Sequence, residues 1–207
     1  MGTHCCGTGD HQPQDPIYRR VLWIVMVVNG VMCVTEWTAG WLARSVALQA
    51  DALDFLGDTA TYAITLLVLG YGPRMRSGAG LLKGLSLVVF GLWVMAETAG
   101  RLYEPALPKA PTMGGIGTLA LAANLLCAAL LYRFRNGDSN MRSVWLCSRN
   151  DAIANIAVIG AALAVWSSGT QWPDLAVGFA IAALALHAGW SILRQAAGEL
   201  GLRAVEP

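Results

Sequence analysis

The sequence carries little charge and no strong excess of either sign. Only 13% of its 207 residues are charged, and the formal net charge is +1. No strong electrostatic field therefore favours a nucleic-acid partner. The five cysteines are an odd number and follow no secreted disulfide pattern, and no organelle signal is recognisable. These absences argue against a nucleic-acid-binding domain and against a disulfide framework.

What the chain does contain is long apolar runs, since 56% of its residues are hydrophobic. The runs are about 20 residues long, enough to cross a hydrocarbon core of about 30 Å. The pattern predicts an all-α, polytopic membrane protein with a six-helix transmembrane bundle. The first run follows a polar tail and precedes five others, which argues against a cleaved signal peptide. The predicted spans are 18–42, 46–70, 80–103, 113–132, 143–166 and 172–195.

Lysine and arginine positions predict the orientation. One set of loop ends carries most of them: Arg19, Arg20, Arg74, Arg76, Lys83, Arg133, Arg135, Arg142, Arg194 and Arg203. The opposite set carries only Arg44, Arg101 and Lys109. The positive-inside rule places the richer set in the cytoplasm, so both termini are predicted to be cytoplasmic in the cell (inner) membrane. Residues 1–16 form a flexible N-terminal tail in this prediction, residues 17–196 the six-span domain, and residues 197–207 a short C-terminal tail.

The N-terminal tail contains four candidate metal ligands: His4, Cys5, Cys6 and His11. Thiolate and imidazole groups suit zinc-like ions, so a metal-collecting tail is one interpretation. Their spacing matches no closed zinc motif, and a disordered tail is the other interpretation.

The second predicted span contains three acids, Asp51, Asp54 and Asp58. A charge at the bilayer centre costs about 2.5–3.5 kcal/mol on insertion scales, so acids inside a span are rare and usually functional. Asp54 and Asp58 are four residues apart, which places both on one helix face. Two oxygen ligands on one face are half of a divalent-cation site.

The fifth predicted span offers a second pair with the same spacing, Cys147 and Asp151. If the two helix faces meet, three carboxylates and one sulfur are enough for a four-coordinate site. Carboxylates alone suit Mg²⁺, Ca²⁺ or Mn²⁺, whereas a thiolate shifts the preference toward Zn²⁺ or Cd²⁺.

Together these segments resemble the cation diffusion facilitator family over nearly the whole chain. Residues 45–58 resemble the signature of the family's second span, in which a His or Asp four residues before an Asp supplies two metal ligands. Residues 140–155 resemble the entry into its fifth span, where a His-x-x-x-Asp pair falls on Cys147 and Asp151. Residues 172–178 resemble the opening of its sixth span.

The resemblance implies a secondary antiporter, not an enzyme, that exports a divalent metal in exchange for protons. Its substrate would be Zn²⁺, with Cd²⁺, Co²⁺ or Fe²⁺ as alternatives, and Asp54, Asp58, Cys147 and Asp151 would hold the ion. No other cofactor is implied. The family usually has His at the position of Cys147, so Cys147 is either a ligand or a bystander beside three carboxylates. The family's cytoplasmic C-terminal domain, which steadies a dimer, is not found after the sixth span, so monomer and homodimer both stay open.

Five further residues have roles that the sequence leaves open or only suggests. Asp51 is either an interfacial, solvated acid or part of an ion or proton pathway, and Glu36 in the first span faces the same choice. Asn155 is four residues after Asp151 and is a candidate to hydrogen-bond a ligand or line the pathway. Asn29 and Asn124 are expected to form interhelical hydrogen bonds. A separate pair, Glu97 and Arg101, has the spacing of a helical ion pair.

Two other function classes stay open at this point. The first is a membrane scaffold or metal-sensing partner protein that binds ions without moving them. The second is a proton or small-cation channel. Transmembrane flux distinguishes a transporter from the scaffold, which would show none. Stoichiometric metal–proton exchange distinguishes an antiporter from the channel, which would lack it.

Overall fold

The computed structural model describes residues 16–68, 73–134 and 139–201. Within these ranges, the side chains of residues 67, 68, 73, 76, 139–147 and 149 are outside the description. The candidate tail ligands His4, Cys5, Cys6 and His11 lie outside the described residues, and so does the side chain of Cys147.

The described chain is built from helices, which confirms the all-α prediction. The six α-helices are α1 (Pro16–Ala43), α2 (Val46–Ala63), α3 (Pro73–Tyr103), α4 (Ala110–Tyr132), α5 (Ser139–Ser168) and α6 (Trp172–Glu199). A short π-helical segment, Ile64–Val68, continues α2. Helices α3 and α5 begin at Pro73 and Ser139, earlier than the predicted residues 80 and 143. Hydropathy marks where a helix becomes apolar, and the helix itself extends further into the polar segment.

Five of the described helices are long and apolar enough to cross a membrane: α1, α3, α4, α5 and α6. The protein is therefore a multi-pass membrane protein. Helix α2 does not qualify by composition, because Asp51, Asp54 and Asp58 lie within its 18 residues. Continued by the five π-helical residues, it is about 34 Å long at 1.5 Å per residue, enough to cross a hydrocarbon core.

Helix α2 lies at the centre of the bundle. It packs against α1, α3, α5 and α6, while α3 also packs on α6 and α4 on α5. Every residue from Val46 to Leu53 is buried, so the first two turns of α2 are covered all round. Large apolar side chains instead cover the outside of the bundle, among them Val27, Val31, Val34, Leu82, Val89, Leu119, Leu125, Ile156 and Leu163. An apolar exterior around buried polar side chains suits a lipid environment.

The N-terminus of α2 is buried, and a carboxylate from α6 satisfies its free N–H groups. The Asp174 side chain accepts hydrogen bonds from the backbone of Val46 at 2.9 Å and of Ala47 at 3.1 Å. Asp174 also accepts one from the Ser45 hydroxyl at 2.6 Å, and the Ser45 oxygen caps the backbone N–H of Leu48. A helix start leaves backbone donors without partners, and the helix dipole favours an anion there. Asp174 therefore fixes the start of α2 against the first turn of α6.

One turn after Asp174, Gly178 lets α6 approach the same end of α2. A Cβ atom at Gly178 would lie 2.9 Å from the Ala47 nitrogen and from the carbonyl carbon of Val46. These are backbone atoms, so no side-chain rotation can make room. Contact at this distance is possible only without a side chain, as in other close helix pairs of membrane proteins.

The Gly178→Ala variant is expected to lose about 1–3 kcal/mol of stability, because the added methyl group must separate α6 from α2. Gly160→Ala is the matched control, since no atom lies within 4 Å of the new Cβ atom. Thermal unfolding in detergent, followed by circular dichroism, should show a lower Tm for Gly178→Ala alone. Equal Tm values for the two variants would contradict this account of the contact.

Candidate metal site

The three acids of α2, Asp51, Asp54 and Asp58, lie at successive turns of the helix. Asp51 is completely buried, Asp58 is 6% exposed, and Asp54 is half-buried. Asp51 and Asp58 are seven residues apart, so they lie on a similar helix face about 10 Å from one another along the axis. The burial of Asp51 and Asp58 in the bundle keeps their charge away from the lipid.

Asp58, the acid farthest from the start of α2, is linked to α5 through a tyrosine. The Tyr62 hydroxyl donates to the Asp58 carboxylate at 2.5 Å, and the same hydroxyl lies 3.2 Å from the Ser148 hydroxyl. Tyr62 and Ser148 are both completely buried. Since Ser148 is three residues before Asp151, this chain of hydrogen bonds brings the α2 and α5 faces predicted from the sequence to one place.

Asp151 belongs to the same neighbourhood as Asp58. Both acids interact electrostatically with the Tyr62 hydroxyl and with the Cys127 thiol of α4. Cys127 in turn accepts a hydrogen bond from the Asn29 amide at 3.6 Å, which links α1 to α4. The expected interhelical hydrogen bond of Asn29 is therefore confirmed, and four helices surround the Asp58–Asp151 region.

The structure describes the surroundings of three predicted ligands, Asp54, Asp58 and Asp151, but only the backbone of the fourth, Cys147. Asp58 and Asp151 act on shared neighbours, and Asp54 interacts electrostatically with Glu36 on α1. The backbone of Cys147 lies in α5, one turn before Asp151, but its side chain is outside the description. Among the described side chains, no three His, Cys, Asp or Glu are gathered closely enough to hold a metal ion. The four-ligand site remains a prediction.

A second polar cluster lies nearer the start of α2. The Asn155 amide donates to Asp51 at 2.6 Å, and it accepts a hydrogen bond from the Asn124 amide at 2.9 Å. Glu36 is completely buried, and its carboxyl group lies within hydrogen-bonding range of Asp51. This chain of four side chains crosses from α1 through α2 and α5 to α4. We call it the Glu36–Asn124 chain.

The burial of this chain corrects one interpretation of Asp51 and Glu36. Neither is an interfacial, solvated acid, because both are completely enclosed. Helix α2 lies at the centre of the bundle, so even its second turn is covered, which hydropathy alone does not reveal. Asn155 hydrogen-bonds Asp51, and the expected interhelical bond of Asn124 is confirmed.

Sequence reasoning missed Tyr62, Ser148 and Cys127. Tyr62 is four residues after Asp58 and Ser148 three residues before Asp151, so both share a helix face with a predicted ligand. That spacing was the available signal for these two. Cys127 carried none, since a cysteine in an apolar run normally behaves as a small apolar residue.

The predicted ion pair between Glu97 and Arg101, near the C-terminal end of α3, is confirmed. The Arg101 guanidinium donates to Glu97 at 2.8 Å, one helical turn away. Gln171 also donates to the backbone carbonyl of Arg101 at 2.9 Å. Because this pair is partly exposed, its contribution to stability is a few tenths of a kcal/mol. Glu97 is therefore a useful control acid, remote from the three acids of α2.

Comparison with known proteins decides the family. Residues 22–200 match the family model described as the cation efflux transmembrane domain, which covers most of the chain. The chain belongs to the cation efflux family. This confirms the resemblance seen in the sequence and places the protein among transporters and not enzymes.

Relatives of this cation efflux domain carry names of metal transporters. The chain is 29% identical to the zinc transporter ZitB of Escherichia coli, over 93% of this chain and 66% of that protein. It is 24% identical to the metal cation efflux system protein CzcD of Cupriavidus metallidurans, over 91% and 63%. It is 25% identical to the cadmium, cobalt and zinc/H(+)-K(+) antiporter of Bacillus subtilis, over 89% and 64%. The chain thus spans just under two thirds of the length of these curated relatives.

The Tyr62→Phe variant tests the link between α2 and α5. It removes the hydroxyl that orients Asp58, and partners of this kind typically change metal affinity 10- to 100-fold. For a metal held by Asp58, we expect Zn²⁺ binding measured by calorimetry to weaken by about 10-fold. Tyr103→Phe is the matched control, because Tyr103 is 87% exposed. Unchanged Zn²⁺ affinity in Tyr62→Phe would contradict the prediction that Asp58 binds the metal.

Proposed function

We propose that this protein exports a divalent metal cation from the cytoplasm, with Zn²⁺ as the substrate and Cd²⁺, Co²⁺ or Fe²⁺ as alternatives. The observation that carries the proposal is the buried hydrogen-bond chain from Asp58 through Tyr62 to Ser148, which lies three residues before Asp151. Acids buried inside a membrane bundle usually mark an ion path. Membership of the cation efflux family and the names of the relatives support the same activity.

The proposed ligands are Asp54, Asp58, Cys147 and Asp151. Their donor set, three carboxylates and one thiolate, suits a tetrahedral zinc-like ion better than Mg²⁺ or Ca²⁺. Each helix contributes two ligands one turn apart, so the ion would bridge α2 and α5. The Tyr62–Ser148 contact holds these helices in register, and Tyr62 orients one of the ligands through its hydrogen bond to Asp58.

We also propose that export is coupled to proton entry. Carboxylate and thiol ligands bind a metal only when deprotonated, so a proton and the metal compete for the same atoms. A proton arriving from outside would help displace the ion, and alternating access of the bundle would complete the cycle. The name of the Bacillus subtilis relative, the cadmium, cobalt and zinc/H(+)-K(+) antiporter, supports this exchange.

In this proposal α2 and its π-helical continuation also cross the membrane, as the second of six spans. Six spans place both termini on one side, and the distribution of Lys and Arg favours the cytoplasm of the cell (inner) membrane. The central position of α2 supports its crossing, because neighbouring helices and not lipid surround its acids. Lipid would contact the apolar exterior. The proposed site lies within one copy of the chain, so it is compatible with either a monomer or a homodimer.

Asp58→Asn and Asp151→Asn each remove one negative charge while keeping the shape of the side chain. We expect either variant to reduce Zn²⁺ flux into proteoliposomes by at least about 100-fold, because both helices must contribute ligands. Glu97→Gln is the matched control and should transport normally, since Glu97 pairs with Arg101 away from the site.

Three outcomes of this flux measurement separate the functions. Flux lost in the Asp58 and Asp151 variants and kept in Glu97→Gln supports the exporter. Wild-type protein that binds Zn²⁺ without any flux contradicts it and favours the scaffold or metal-sensing partner. Metal flux without accompanying proton movement contradicts the antiport step and favours a channel.

A further inference from the structure

We propose that Glu36 and Asp51 form a proton-binding site separate from the metal ligands, and that Asn155 connects this site to α5. The inference rests on the proposed function for its role in transport. Its structural basis is independent of that function, because it depends on the Glu36–Asn124 chain alone.

The first observation is that these carboxyl groups are buried with too few donors. Glu36 and Asp51 are both 0% exposed. Among the described residues, no N–H or O–H group donates to either Glu36 oxygen or to Oδ1 of Asp51. Buried polar atoms almost always have a hydrogen-bond partner, so three such oxygens together indicate that a ligand belongs between them.

The identity of that ligand follows from hydrogen-bond chemistry. The two carboxyl groups lie within hydrogen-bonding range of one another. An ionised carboxylate only accepts hydrogen bonds, whereas a protonated one donates through its O–H group. Two carboxyl groups at this range therefore satisfy one another when a single proton lies between them. A proton satisfies the pair without the four or more ligands that a metal ion requires.

The charged groups around the pair are consistent with a proton site. Asp54 from α2 and Cys33 from α1 also act electrostatically on Glu36, and both add negative charge when ionised. Helices α4 and α5 contribute the neutral amides of Asn124 and Asn155.

Three charged side chains of α3 and α6 have partners away from the Glu36–Asp51 pair. Lys83 donates to Thr61, Arg101 to Glu97, and Asp174 accepts from the start of α2. No cationic side chain among the described residues acts on Glu36 or Asp51, which suits a bound proton as the source of positive charge.

The position of the pair suits a proton that enters from outside. Asp51 lies in the second turn of α2, at the end that the proposed orientation places outward. Asp58 lies about 10 Å deeper along the helix axis. Asp54 lies between them in sequence and acts on Glu36, so a divalent cation bound at Asp54 would disfavour a proton on the pair.

The proton exchange then has a simple balance. When the metal binds from the cytoplasm, the carboxyl O–H bond of the pair breaks and the proton leaves for water. When the metal leaves on the outer side, a proton from that side forms an O–H bond on Glu36 or Asp51, and the partner carboxylate accepts its hydrogen bond. Asn155 links these states to α5, because its amide donates to Asp51 and lies one turn after Asp151.

The first test needs no metal. Infrared difference spectroscopy of the full chain in detergent, recorded as pH changes, detects the C=O stretch of a protonated carboxyl group. We expect this band in wild type and in the control variant Glu97→Gln, and its loss in Glu36→Gln and Asp51→Asn. A band of equal size in all four proteins would overturn the proposal, as would no band in wild type.

The second test counts protons released when Zn²⁺ binds, by calorimetry in buffers of different ionisation enthalpy. Glu36→Gln should release about one proton fewer per bound Zn²⁺ than wild type, because the pair no longer holds the proton that the metal displaces. Equal proton release in both proteins would overturn the pair's role in exchange. If wild type binds no Zn²⁺, the proposed function fails, and the infrared band still decides whether the pair holds a proton.

Discussion

The structure depends on one constraint, which is that a helix carrying three carboxylates cannot face lipid. Helix α2 meets this constraint by lying at the centre of the bundle, with its first two turns covered on every side. That position creates a second requirement, because the N-terminus of a buried helix has backbone donors without partners. The Asp174 carboxylate satisfies them from α6, and Gly178 allows the close approach that this contact needs.

With α2 fixed in this way, its acids divide into two levels. Asp58 faces α5 through Tyr62 and Ser148, in the region that Asp151 also reaches. Asp51 faces α1 and α5 through Glu36 and Asn155. The two levels lie on a similar face of one rigid helix, about two turns apart. A metal at the deeper level and a proton at the shallower level would therefore act on one another through charge, and any movement of α5 relative to α2 would change both.

Much of this arrangement was predictable because hydrophobic length and i,i+4 spacing are local properties of the sequence. They predicted the helices and the Glu97–Arg101 ion pair, which are confirmed. They also predicted the Asp54–Asp58 and Cys147–Asp151 ligand pairs, which stay predictions. Burial was not predictable in the same way. Asp51 lies only a few residues after the start of α2, a position typical of an interfacial acid. Its neighbours on α1 and α5 nevertheless enclose it. The roles of Tyr62 and Asp174 also depend on helices distant in sequence, and periodicity within one helix does not reveal which helices meet.

The most direct test of the central claim is X-ray absorption spectroscopy at the zinc edge of the Zn²⁺-loaded protein. If α2 and α5 hold the ion, the spectrum should show four neighbours, with oxygen at about 2.0–2.2 Å and one sulfur at about 2.3 Å from Cys147. Cys147→Ser should lose the sulfur contribution, whereas Cys33→Ser should keep it. Six oxygen neighbours without sulfur, typical of a hydrated ion, would contradict the claim that this site binds the transported metal.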